Sequence, residues 1–164
     1  MPCSNSFQLL LVGLCLQGIA SLSLADESIA IENLPNPVMG TITRRYPKAE
    51  LTEARKTLED KVEVYEVELK HGGKLIEIAV LSDGKIDWVA VDLSINELPK
   101  RVLAGVRKKY PTAKLNHASS VYTVKQDKDH LEHYHVELTT KAAITRELDV
   151  TPQGEIEEDE EVKD

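Results

Sequence analysis

The chain is 164 residues long and carries 28 Asp and Glu against 20 Lys and Arg, a formal net charge of −8. That length holds one or two small domains. The acidic balance argues against a nucleic-acid partner, and both cysteines, Cys3 and Cys15, fall in or before the first apolar run, so the chain beyond it has neither a thiol nucleophile nor a Cys-ligated metal.

Residues 9–20 form that apolar run, and Ser23-Leu24-Ala25 follows with small residues where a signal peptidase reads. Residues 1–25 are therefore read as a signal peptide. The run is shorter than the roughly 20 apolar residues a bilayer span needs. No Lys or Arg precedes Arg44, which leaves a retained anchor as the alternative. The expectation is a secreted or periplasmic protein with no stable membrane insertion after cleavage. Residues 26–33 are a short polar lead.

Leu34, Val38, Ile42 and Tyr46 recur every fourth residue, with Met39 widening the stripe, and predict one apolar face of a helix. Pro35 suits the first turn. Pro47 ends the helix, because the residue before a proline is pushed out of the α region. A weakly alternating strand is expected over residues 49–58. Residues 62–69 alternate more clearly, with Tyr65, Val67 and Leu69 on one face and Glu66 and Glu68 on the other. His71-Gly72-Gly73-Lys74 and Ser82-Asp83-Gly84-Lys85 are turn signals around an apolar strand at residues 75–81. A further strand at residues 86–93 holds Trp88, the only Trp. Its alternation is too poor to assign Trp88 a face.

The pattern then repeats. Leu34, Pro35, Val38, Tyr46, Pro47, Ala49 and Leu51 return as Leu98, Pro99, Val102, Tyr110, Pro111, Ala113 and Leu115, at a constant offset of 64. Ser94 and Glu97 fit a capping box before the second helix. Tyr134-His135-Val136-Glu137-Leu138 answers Tyr65-Glu66-Val67-Glu68-Leu69, with the extra residues placed in a turn at residues 126–130. Residues 144–150 are the next strand, and Ile156 answers Ile86. The fold class is α+β: two tandem repeats, residues 34–93 and 94–156, each a helix packed on one face of a three- or four-stranded antiparallel sheet. The acidic tail, residues 157–164, reads as a disordered, solubilising stretch, although Ile156 and Val162 could complete the last strand.

Leu-Pro, an apolar stripe, Tyr-Pro-x-Ala, Tyr-x-Val-Glu-Leu and Asp-Gly-Lys-Ile together resemble the PepSY-like domains of bacterial envelope proteins. Those domains are also described as similar to the β-lactamase inhibitory protein. The resemblance spans residues 33–156 as two copies. It implies a secreted or periplasmic, non-enzymatic module that binds or inhibits another protein. The inhibitory protein uses an aromatic-rich sheet surface and disulfide-closed loops. Here Tyr46 and Tyr110 sit at helix ends, and no cysteine remains after cleavage. The fold and the binding role are carried over, and that target is not.

The uncovered sheet face is where a protein partner would be met, and its candidate contacts are Glu66, Glu68, Trp88, His133, His135 and Glu137. The alternative is an envelope metal-binding protein using His130, His133, His135, Asp127 and Asp129. On a strand, His133 and His135 share a face about 7 Å apart at ~3.4 Å per residue, and imidazole with carboxylate suits zinc, nickel or copper. His117 could join from a neighbouring strand. The bland reading is a solvated polar face. Basic spots at Arg44 and Arg45, Lys100 and Arg101, and residues 107–109 read as salt-bridging surface. No nucleophile elbow, zinc-protease motif or phosphate loop occurs, and no cofactor is called for. Ser119, Ser120 and His117 lie too close along one strand to form a triad.

Overall fold

A computed structural model describes residues 27–59 and 61–162. The signal-peptide reading therefore lies outside the described residues. The elements run β1 (Glu27–Ser28), α1 (Asn36–Arg45), β2 (Glu50–Glu59), β3 (Val62–His71), β4 (Lys74–Leu81), β5 (Ile86–Leu93), α2 (Lys100–Lys109), β6 (Lys114–Lys125), β7 (Lys128–Thr139), β8 (Thr145–Val150) and β9 (Ile156–Glu161). A single 3-10 turn precedes each helix, Ile31–Asn33 and Ile95–Glu97. The second is closed by the expected capping box, in which the Ser94 backbone N–H donates to Glu97 Oε2 at 2.8 Å.

The strands form one antiparallel sheet of nine, paired in sequence order. Each repeat is read from sequence as a three- or four-stranded sheet, with its edges left open. The difference lies at the β5–β6 seam, where residues from Trp88↔Thr123 to Leu93↔Ala118 pair without interruption. Pairing there removes two exposed edges, each a row of unmet backbone donors and acceptors. The seam also mixes the cores. Val38 and Ile42 of α1 sit in one buried cluster with Tyr65, Val67, Leu69, Ile78 and Val80, and Val124 of β6 packs against it. Val102 and Val106 of α2 sit in a second cluster with Val136, Leu138, Leu148 and Val150, and Leu93 of β5 packs against that one.

The extra residues of the second unit extend a hairpin and do not form a loop. Lys125 pairs with Lys128, so the turn is only Gln126 and Asp127, both at positive φ (53° and 60°). That is the backbone twist two-residue hairpins favour. His130, expected in the turn, stands on β7 opposite Thr123.

The acidic tail is corrected as well. Ile156–Glu161 is a paired strand on β8, held by an arrangement that the run of charge hides. Asp159 stands opposite Leu148, on the helix side of the sheet. There it accepts from Tyr110 Oη at 2.6 Å and Arg146 Nε at 2.5 Å, and it pairs with Lys109. Partial burial raises its carboxyl, but the bonds from Lys109, Tyr110 and Arg146 outweigh burial and hold it below the usual aspartate range. A depressed folded pKa means the stabilisation is complete above the unfolded value and is lost as pH falls through the folded one. Thermal midpoints of the wild type should therefore fall between about pH 5 and about pH 2 more steeply than those of Asp159→Asn. Parallel curves would deny Asp159 this role.

Candidate functional site

The helices leave the other face of the sheet uncovered, and the strand registers decide what it displays. Glu66 stands opposite Arg55 and Ala79, and Glu68 opposite Glu53 and Glu77. Both point away from buried Tyr65, Val67 and Leu69, as alternation predicts. The face of Trp88 is set by a bulge. Ala79 pairs with Trp88, but the next residue, Val80, pairs with Ile86. Asp87 is the extra residue, and it turns two residues that strict alternation would place together onto opposite faces. Ile86 joins the helix-side core, while half-buried Trp88 lies on the open face.

Two more bulges match between the repeats. Thr52 is skipped between Leu51↔Leu69 and Glu53↔Glu68, and Asn116 between Leu115↔Leu138 and His117↔Glu137. Each bulged side chain hydrogen-bonds the glutamate of the Tyr-x-Val-Glu-Leu motif. Thr52 Oγ1 donates to Glu68 at 2.6 Å, and Asn116 Nδ2 to Glu137 at 2.8 Å. The motif glutamates are thus fixed in position at corresponding places of both units.

Curvature makes this face a trough of about 700 Å³ running from β3 to β8. Five of the six partner-contact candidates line it: Glu68, Trp88, His133, His135 and Glu137. Glu66 lies on the same face outside the trough. Sequence reading missed much of the wall: Glu77, Asp87, Asp92, Glu132, Glu147 and Asp149. One signal was available, since Glu77 is a lone acid in the apolar run Leu75-Ile76-Glu77-Ile78-Ala79-Val80. Among the described residues, eight carboxylates and three histidines line the trough, with no Lys or Arg. Burial pushes the Glu77 carboxyl above the usual range, Arg55 pulls it back, and Glu68 and Glu53 add to the rise.

Histidines stand beside two of these carboxylates. His135 Nδ1 lies 2.9 Å from Asp149 Oδ1, with His133 Nε2 at 3.5 Å from the same oxygen. His117 Nε2 lies 2.5 Å from Asp92 Oδ1.

The sequence matches the family model described as beta-lactamase-inhibitor-like, PepSY-like over residues 23–87 and again over 65–158. The chain belongs to this PepSY-like family. Solved structures share the fold. A DUF2874 family protein from Bacteroides uniformis superposes with a TM-score of 0.64 at 17% identity, over 78% of this chain and 89% of that one. A BLIP-like protein from Bacteroides fragilis gives 0.59 at 15% identity, over 79% and 88%. A Bacteroides eggerthii protein, provisionally described as periplasmic, gives 0.64 at 14% identity, over 78% and 88%. No curated protein matches. Among the described residues, no helix is long and apolar enough to cross a membrane.

The PepSY-like sheet also breaks up the proposed metal cluster. His133 and His135 share the open face, as expected. Asp129, opposite Val124, lies on the helix side, and its two carboxylate oxygens accept from Arg45 Nη2 at 2.6 and 2.7 Å. Asp127 is in the hairpin turn, and His130 is not among the residues lining the trough. Among the described residues, no group of three or more His, Cys, Asp or Glu is placed to hold a metal ion. Alternation puts Asp129 on the opposite face from His133 and His135, while His130, opposite Thr123 on the open face, stands further along the hairpin towards its turn.

Proposed function

We propose that this PepSY-like chain is a non-enzymatic binding module, secreted or periplasmic, that contacts another protein of the cell envelope through the open face of its sheet. One observation carries the reading. Among the described residues, nine strands present a concave face that neither α1 nor α2 covers, with the single Trp half-buried in it and carboxylates around it. A buried aromatic in a concave patch ringed by polar groups is the usual make-up of an interface centre. The helix side, by contrast, is spent on the two cores. Inhibition of the partner is one form such contact would take. The family's likeness to BLIP-like proteins and the periplasmic description of a structural neighbour support the setting.

The test is affinity capture from envelope extract with the mature chain immobilised. A parallel bait carries alanine at Glu66, Glu68, His133 and His135. The expected result is a protein held by the first bait and absent from the second. Equal capture by both, or capture by neither, would count against contact through this face.

A further inference from the structure

The trough concentrates acids that lack Lys or Arg partners. Elsewhere several carboxylates pair with cations of the same chain, as Glu63 does with Lys56, Glu97 with Lys74, Asp129 with Arg45, and Asp159 with Arg146. Inside it, none of the eight carboxylates forms an ion pair with Lys or Arg among the described residues. Glu68 and Glu137 are held by the neutral side chains of Thr52 and Asn116, and Asp92 and Asp149 by histidines. Among the described residues, Glu77, Asp87, Glu132 and Glu147 have neither a side-chain hydrogen bond nor an ion pair. Beyond the trough wall, Glu158 stands opposite Asp149 and Glu160 opposite Glu147, so β9 extends the same charge.

Like charges gathered in a concave, low-dielectric surface repel one another and focus the field outward. A concave face lined by eight carboxylates, with no Lys or Arg in the lining among the described residues, is complementary to positive charge. The floor adds an apolar element, because Trp88 lies between Ala79 and Thr123 with Ala90 and Val121 beside it on the same face.

Resting on the binding reading above, we propose that the occupant of the trough is a cationic polypeptide segment of the partner, rich in Lys and Arg, with an apolar side chain that meets Trp88. The cations would supply what the unpaired carboxylates lack, and the apolar contact would fix the segment along the strands. Electrostatic complementarity of this kind sets on-rate and specificity and weakens with salt.

Trp88, the only Trp in the chain, reports occupancy directly through its emission. The full chain would be titrated with short Lys- and Arg-rich peptides carrying a central Leu, and with the same peptides after replacement of every cation by Glu. A second protein would carry Glu77→Gln, Glu132→Gln and Glu147→Gln, near-isosteric changes whose folding is checked by circular dichroism. The expected result is a saturable, salt-sensitive change with the basic peptides, none with the acidic ones, and binding about tenfold weaker in the variant. Silence towards the basic peptides, equal response to both charges, or equal affinity of the two proteins would each overturn the cationic occupant. The binding module itself would still stand if envelope capture succeeded on the wild-type bait alone.

Discussion

Replacing Gly105 with alanine should destabilise the protein by about 3 kcal/mol, near the upper end for overpacking a tight contact. A Cβ at Gly105 would lie 2.0 Å from the Gly154 carbonyl oxygen, and the obstructing atoms are backbone that cannot swing aside. Gly154 is itself at φ +90°, where its own Cβ would meet the Arg101 carbonyl at 2.3 Å. Helix α2 and the β8–β9 turn therefore touch backbone to backbone. The corresponding position in the first helix is Thr41, whose Oγ1 instead donates to the Gly84 carbonyl at 2.7 Å. At this one position the helix meets the turn through a side chain in one repeat and bare backbone in the other, while the turn glycines, Gly84 and Gly154, face helix carbonyls in both. Gly40 is the control. It is exposed on α1 with nothing within 4 Å of an added Cβ, so Gly40→Ala should stabilise by about 0.5–1 kcal/mol through helix propensity and unfolded-state entropy. Chemical denaturation of the two variants reads both signs. A neutral Gly105→Ala would mean that α2 can lift from the turn without loss.

Leu69→Ala and Leu138→Ala should each cost about 3 kcal/mol, within the usual range for emptying a fully buried leucine site. Both side chains have no exposed surface, and they occupy corresponding places in different core clusters. The sheet makes the outcome more specific than the magnitude. Since β5 and β6 pair along their length and each core borrows a residue across that seam, the two cores should melt together. Calorimetry is expected to show one transition in the wild type, lowered by either substitution. Two transitions, with each variant shifting only its own, would mean that the seam does not couple the repeats.

Local periodicity carried most of the elements. The stripes Leu34, Val38, Ile42 and Leu98, Val102, Val106 are buried as i+4 spacing predicts, and the capping box at Ser94 and Glu97 is formed. These features depend on neighbours along the chain, so a linear reading reaches them. The candidate site was legible where alternation is strict, as at Glu68, His133, His135 and Glu137. It failed at Trp88, because one bulged residue, Asp87, reverses the faces on either side of it. No property of Asp87 in isolation announces a bulge.

The larger differences have a single physical cause. Whether Asp129 belongs with His130 or with Arg45, whether the run Glu157-Glu158-Asp159-Glu160-Glu161 is tail or strand, and whether two sheets or one result all depend on partners distant in sequence. Composition makes a block of acids repel. Pairing with β8 places Asp159 beneath Tyr110 and Arg146 and leaves its neighbours to water. The trough arises in the same way: its carboxylates come from β3, β4, β5, β7 and β8, and only the register of adjacent strands gathers them along one trough, with no Lys or Arg in its lining among the described residues.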